Sequence, residues 1–386
     1  MPNIYGLDQK TSQVISAAQH VAKDFAAKHA ADVDQKSRFP EEAISALGAQ
    51  GLMGLCVSEA NGGKGLGPRA FVGVVEELAQ ACPSTAMIYT MHVTAAQAIA
   101  SSKGPQSRDA MLREIAAGKH LSTLALSEKG SRSNFWMPVS KLEAKGTGFV
   151  TQAAKSWVTS ANRCDSIVSD AQKPGATSPL ESTVYVTRRG PTARVNGGFD
   201  GLGLRGNDSA PMSLENHEIK ADDLLCEHGK GIETMLQVIL PWFAIGTSAM
   251  ANGLCRAAVN ATAAHLTTTG LDSGMKLRDL PNLRARLAQM SVRTEQSRAL
   301  LGFTLSMMEE PTEMTPLYVL QSRYAALEAA IDVTDLAMKA CGGAAFSKHL
   351  GLERLFRDAR AGWVMAPTVD HLNDFIGKAL TGLPLL

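Results

Sequence analysis

The sequence predicts an α+β chain in three consecutive parts: a helical segment, a small β domain and a second, longer helical segment. Three observations carry that prediction. Apolar residues recur at three- and four-residue spacing through both ends of the chain, the stripe of amphipathic helices. Between about residues 121 and 225 the texture changes to short runs rich in Val, Thr, Ser and aromatics, divided by turn residues. Alanine is abundant and aromatics make up only 5%, which suits closely packed helices better than a β-rich body. At 386 residues the chain is too long for one small core, so two or three packed units are expected.

Residues 1–120 form the first predicted unit. Val14, Ile15, Ala18, Val21, Ala22 and Phe25 lie on one helical stripe, and "PEEAISALGAQGLMGL" enters a helix through Pro40 and two acidic residues. The loop "SEANGGKGLG" follows, then two more helices divided near Pro83. The second unit, 121–225, is read as a small β-barrel domain from "HLSTLALSE", "GFVTQAAKSWVTSA", "CDSIVSDAQ", "STVYVTRRG" and "PMSLENHEI". The third, 226–386, returns to the helical period in three long stretches, two of them ending at glycine. No tandem repeat or low-complexity tract interrupts this order.

Composition excludes several classes of function. A net charge of +1 and no basic stripe with interleaved aromatics argue against nucleic acid. The six cysteines are scattered without a CxxC pair, and read as buried free thiols in a reducing compartment. The opening "MPNIYGLDQKTSQ" lacks the charged and apolar regions of a signal peptide, and no uninterrupted apolar run reaches membrane-spanning length. A cytoplasmic protein is expected. The nine histidines supply no HExxH and no metal-like pair, and there is no GxSxG elbow.

Four stretches remain as candidate site elements. "GLGLRG" (Gly201, Gly203, Gly206) matches G-x-G-x-x-G, but a dinucleotide fingerprint must open a helix, and here Pro211 and a strand pattern follow. It is read as a glycine-rich turn between two strands. "SEKGSRSNFW" presents Ser127, Gly130, Ser131 and Ser133 at the end of a strand, either as an anion-binding concavity or as an ordinary polar hairpin loop. "KSWVTSA" alternates Trp157 and Thr159, placing both on one face of a strand. His92 falls in an apolar helical stretch and reads first as packed and hydrogen-bonded, with catalysis as the alternative.

Together these motifs resemble the acyl-CoA dehydrogenase superfamily of flavoproteins over essentially the whole chain. "SEKGSRSN" is similar to the family's T-E-P-x-A-G-S-D, "KSWVTS" to K-x-W-I-T-N, and "LGLRGN" to L-G-x-R-x-S. "CGGAAF" and "ERLFRDARA" resemble the late G-G-x-G-F and R-D-A-R segment. The resemblance implies an N-terminal helical domain, a middle β-barrel and a C-terminal four-helix bundle. It also implies FAD as cofactor, an acyl-CoA substrate, an electron-transfer flavoprotein or oxygen as electron acceptor, a homotetramer and a place in fatty acid metabolism. Carried over residue by residue, it assigns the pyrimidine edge of the flavin to the backbone of Leu126 and Ser127, and the pyrophosphate to Ser133. It places Trp157 and Thr159 against the ring, and assigns Gly343 of a neighbouring subunit and Thr368 to the adenine and pyrophosphate ends.

The departures bear on the chemistry. The family's Glu-Gly-Thr is replaced by Ala366-Pro367-Thr368, and the alternative position for the base falls near Phe243, in "ILPWFAIGTS", which holds no acid. The family's R-x-x-F-G segment aligns with "GLDSG" (270–274), which has neither the arginine nor the phenylalanine. Asp370, four residues beyond Ala366, is the nearest carboxylate in sequence, one helical turn away if the segment is helical. Three functions compete: a dehydrogenase with a relocated base; a flavin-dependent monooxygenase or desulfinase, for which His92 with Ser160 is a candidate acid/base; and a binding partner that keeps the fold.

Overall fold

Asp8 opens the first helix by accepting the Thr11 backbone N–H at 2.7 Å, the satisfied end that an isolated first turn lacks. In the computed structural model, which describes residues 4–102 and 107–386, α1 (Gln9–Val21) runs through a π-turn at Ala22–Ala26 into α2 (Ala27–Lys36). Next come α3 (Glu41–Ala49), α4 (Pro68–Ala81), α5 (Pro83–Ser101) and α6 (Ser107–Ala116). Helices α4 and α5 each carry proline in the first turn, where a missing N–H is harmless, and extended Cys82 separates them. Met1–Asn3 of the opening segment lie outside the described residues.

The middle segment holds two sheets. β1 (Ser122–Ala125), β4 (Ser166–Gln172) and β5 (Ser182–Arg188) form one in the order β1-β4-β5, with β1 parallel and β5 antiparallel to β4. β2 (Leu142–Lys145), β3 (Gly148–Val158), β6 (Ala193–Val195) and β7 (Ala210–Ile219) form the other, antiparallel throughout, in the order β2-β3-β7-β6. Isolated bridges at Glu128–Lys155 and Lys141–Gln172 tie the two sheets together, and one core containing Ala125, Val158, Ile167, Met212 and Leu214 fills the space between them. The five predicted strand runs each contain a strand. β2 and β6, four and three residues long, carry too few residues to show a period.

The second helical segment begins with α7 (Gly231–Thr234), which passes through a π-turn into α8 (Leu240–Thr268). Then follow α9 (Pro281–Glu309), α10 (Thr315–Cys341), α11 (Gly343–Phe346), α12 (Leu352–Val364) and α13 (Val369–Thr381). One helical run, Gly231–Thr268, is long and apolar enough to cross a membrane by length and composition alone, although Gln237, Thr247, Ser248 and Asn252 interrupt its apolar sequence. Its most apolar window is 83% buried inside the protein, and α4, α5, α9, α10 and α12 pack around it. A helix covered on all sides has no polar face to show.

Helix α8 also joins the two largest cores. Ala251, Leu254 and Ala258 pack with α10, α12, α13 and the first sheet, while Phe243, Ile245 and Ala249 pack with the N-terminal helices. Phe243 therefore stands where the first and third predicted units meet. All six cysteines are free; Cys82, Cys164, Cys255 and Cys341 are buried, and burial pushes the Cys164 and Cys255 thiols up to about 12.

Candidate functional site

The serine loop is anchored by a buried ion cluster. Leaving β1, Leu126 is buried in the core, the Ser127 carbonyl accepts the Ser156 N–H at 2.8 Å, and Glu128 turns inward. The Glu128 carboxylate accepts the Val139 and Ser140 N–H groups, each at 2.7 Å, and the Lys155 ammonium at 2.6 Å. Burial acts to raise its pKa, but Lys155 and these donors hold it below the ordinary value. Lys155 also donates to the Asp170 carbonyl at 2.9 Å and lies 3.5 Å from its carboxylate; burial pushes Asp170 up to about 7.

Held at this end, the loop makes an unusual turn. Arg132 (φ 47°) and Ser133 (φ 68°) are consecutive left-handed residues, although neither is glycine. Arg132 occupies the glycine position of the T-E-P-x-A-G-S-D pattern. Beyond the turn, Phe135 and Trp136 sink into the core, and Trp136 packs edge-on against His371 of α13 with ring centroids 5.5 Å apart. His371 in turn lies 3.2 Å from the Thr368 hydroxyl. The fold thus brings together the serine loop and the start of the last helix, more than two hundred residues apart in sequence.

Trp157 and Thr159 do not share a face. Trp157 has φ 54°, and the β3–β7 register slips between Lys155 and Val158, so strict alternation ends there. The Trp157 ring stands 67% exposed and meets Phe199 in an edge contact with centroids 6.3 Å apart. Thr159 is buried, with its hydroxyl 3.2 Å from Ser209 Oγ. One left-handed residue thus turns a predicted pair into an outward plate and an inward peg.

The "GLGLRG" stretch lies between β6 and β7, as its pattern indicates, and serves as a clasp. A side chain at Gly203 would sit 2.4 Å from the Arg357 carbonyl, so only glycine allows the loop to reach α12. Leu204 N–H donates to buried Asp358 at 2.6 Å, Arg357 pairs with Asp34 of α2 at 2.6 Å, and Gly206 N–H reaches Ser84 Oγ of α5 at 3.2 Å. Burial raises Asp358 to about 6. The R-D-A-R segment therefore holds the β domain to both helical segments. It was legible as a motif, but its partners were not.

At the C-terminal turn, Thr368 caps α13 by accepting the His371 N–H at 3.3 Å. Asp370 is exposed in the first helical turn. Residues 366–368 are not helical, so the one-turn relation expected between Ala366 and Asp370 does not exist. Gly343 opens α11, and neither it nor Gly342 has a heavy atom near its open side. His92 is fully buried: its Nδ1 accepts the Ser122 N–H at 3.1 Å, so Nε2 carries the proton donated to the Met53 carbonyl, also at 3.1 Å. Burial lowers it to about 4, and with both nitrogens engaged it is a neutral packing residue with no bond to Ser160.

One residue that the motif reading passed over stands beside the acid-less positions. Arg323 of α10 is fully buried, its guanidinium 4.8 Å over the Phe243 ring and its Nη2 donating to the Met365 carbonyl at 3.0 Å. A signal was present: Leu320, Arg323, Leu327 and Ala330 fall at helical spacing, placing a cation on the buried stripe. A surface cleft of about 750 Å³ between the α4 and α9 ends contains none of these residues.

Trp157 is exposed, the serine turn is left-handed and the glycine backbone at 342–343 is open, three separate features within the stretches that the motifs mark. Residues 8–119 match the acyl-CoA dehydrogenase N-terminal domain, and residues 229–380 match the C-terminal domain. Cyclohex-1-ene-1-carbonyl-CoA dehydrogenase of Geobacter metallireducens is 25% identical over 376 residues, covering 97% of this chain and 98% of that protein. Butyryl-CoA dehydrogenase of Megasphaera elsdenii shares the fold with a TM-score of 0.91 at 20% identity, covering 98% of this chain and 99% of that one. The FAD complex of PigA does so at 0.89 and 18% identity, covering 98% and 99%. With both domain families matched in order around the β segment, the chain belongs to the acyl-CoA dehydrogenase family, FAD-dependent oxidoreductases acting on CH–CH groups.

Proposed function

We propose that the chain oxidises an acyl-CoA thioester between Cα and Cβ and passes the electrons to an electron-transfer flavoprotein or to oxygen. The observation that carries this reading is Trp157, a large flat side chain held out of the sheet by a left-handed backbone, where solvent is a poor partner for it. In this reading Trp157 flanks the flavin ring and the backbone of Leu126 and Ser127 meets its polar edge, while Thr159, turned inward, supports the strand behind them. Ser133 and Thr368 bind the pyrophosphate, and Gly343 from a neighbouring copy approaches the adenine end. Bound FAD supplies a hydride acceptor for Cβ.

The Cα proton must then go elsewhere, because Ala366 and Phe243 have no basic atom. Asp370 is the nearest carboxylate in sequence, and its exposed place on α13 gives it access to ligand or solvent. The test is to reconstitute the protein with FAD and add acyl-CoA thioesters anaerobically. Bleaching of the yellow flavin by one of them supports dehydrogenation. If Asp370 is the base, Asp370→Asn then slows bleaching on the order of 100- to 10,000-fold.

A second reading is favoured by the same missing acids: a flavin-dependent monooxygenase or desulfinase on the same fold. It predicts no anaerobic bleaching, but oxygen-dependent product from supplied reduced flavin, or sulfite release from a sulfinated thioester. Exposed Phe346, Trp363 and Val364 support assembly into a homotetramer, and the six free thiols support a cytoplasmic setting.

A further inference from the structure

Arginine carries five N–H donors on one rigid fork and keeps its charge at neutral pH. Arg323 is fully buried, and its Nη2 is satisfied by the Met365 carbonyl, but Nε and Nη1 meet no acceptor. No carboxylate among the described residues pairs with it. The Phe243 ring beneath it offsets only part of the lost hydration. Burial lowers its pKa to about 9, which still leaves a cation.

The place of this cation matters as much as its isolation. Met365 directly precedes Ala366, and Phe243 lies on α8. Arg323 therefore touches both segments in which the sequence comparison places a catalytic carboxylate and finds none. A negative group at position 366 would repel a second negative charge on the ligand; alanine removes that repulsion, and Arg323 adds an attraction. A wholly buried donor selects the leading end of a ligand, not the solvent-facing nucleotide of CoA.

We propose that Arg323 is a specificity-determining residue that binds a carboxylate carried on the acyl group of the thioester. This rests on the acyl-thioester reading given above. The bound carboxylate accepts at the unpartnered Nη1 end of the guanidinium, while Nη2 keeps the 365–367 turn in place.

The test compares glutaryl-CoA with uncharged pentanoyl-CoA on the FAD-loaded protein, by calorimetric titration and by the shift of flavin absorbance. The parent is expected to prefer the glutaryl thioester on the order of 10- to 100-fold, the range of a charge-assisted hydrogen-bonded contact. Arg323→Met abolishes the preference while leaving pentanoyl-CoA affinity and FAD content unchanged. Arg323→Gln, which keeps donors but not charge, serves if the methionine variant does not fold. No preference in the parent, an undiminished preference in either variant, or loss of FAD in place of selectivity overturns the proposal. Free glutarate and neutral glutaramide separate the two readings by thermal shift. If neither thioester binds but glutarate alone stabilises the parent and not the variant, the thioester reading fails and the carboxylate site stands. If glutarate is also without effect, the carboxylate site fails with it.

Discussion

Two buried arginine sites in the same helical body are built on opposite plans. Around Glu76 of α4, Arg256 donates at 2.6 Å and Arg298 at 3.1 Å, the Tyr5 hydroxyl donates from a third side, and Arg298 takes a further carboxylate, Glu295, at 2.8 Å. Every charge there has a counter-charge supplied by the chain. Arg323, as deeply buried, has a carbonyl, a ring face and two idle donors. The Glu76 cluster ties α4, α8 and α9 together and is complete without a ligand. The Arg323 site borders the two segments that lack an acid, and is incomplete without one. Burial of a charge is thus a sign of architecture in the first case and of recognition in the second, and what separates them is whether the chain itself supplies the counter-ion.

The largest effect falls on the complete cluster. Glu76→Gln leaves two buried guanidinium groups facing a neutral amide and is expected to destabilise the protein by about 3–5 kcal/mol. Urea unfolding of the purified variant measures this directly. A loss below about 1 kcal/mol would remove the first half of the comparison.

A third cluster gives an intermediate case. Glu128 and Asp170 share one Lys155, and Asp170 is held neutral more readily than an ordinary aspartate, with a folded pKa of about 7 against 3.8. A raised folded pKa means the native state keeps a proton that the unfolded chain has released. The stabilisation from that proton is complete below about pH 4 and is lost as pH rises through about 7. Asp170→Asn removes this dependence, so melting temperatures measured from pH 5 to 8 should move in favour of the variant as pH rises. A constant difference across that range would mean that Lys155 satisfies both carboxylates.

The smaller effect belongs to Arg323. Arg323→Met removes an unpaired cation together with one carbonyl hydrogen bond worth about 1 kcal/mol, so ligand-free stability should stay within about 1 kcal/mol of the parent or rise above it. A loss of several kcal/mol would place Arg323 with the architectural arginines after all.

The helix and strand order was legible because periodicity is a local property, and α1, α4, α5, α10 and β3, β4, β5, β7 each run long enough to show it. The "SEKGSRSNFW" and "KSWVTSA" stretches were legible as motifs, but not their geometry. Trp157 and Thr159 were separated by a single left-handed residue, and no side-chain pattern announces a positive φ at tryptophan. Asp370 looked one turn from Ala366 until the intervening residues proved non-helical. The clusters at Glu76, Lys155 and Asp34–Arg357 join residues up to 323 positions apart, so only the fold brings their charges together. Arg323 was visible as a cation on an apolar stripe, but its lack of a partner is a property of its surroundings.

Trp157 tests the comparison from the exposed side, where the effect on stability should be smallest. With two-thirds of its surface in solvent and one edge contact to Phe199, the ring contributes little to the unliganded fold. Trp157→Ala should change urea stability without FAD by no more than about 0.5 kcal/mol. The φ of 54° opposes any larger change, since the strain persists with alanine in place of tryptophan. FAD affinity should instead fall roughly tenfold, as expected for loss of one aromatic face worth about 0.5–1.5 kcal/mol beyond its buried area. Flavin release followed by fluorescence measures the second quantity on the same preparations. If stability falls and affinity does not, Trp157 is a structural residue whose exposure is incidental, and the flavin wall must be sought elsewhere on the β domain. If affinity falls alone, Trp157 joins Arg323 as a group the chain leaves incomplete for a ligand to finish.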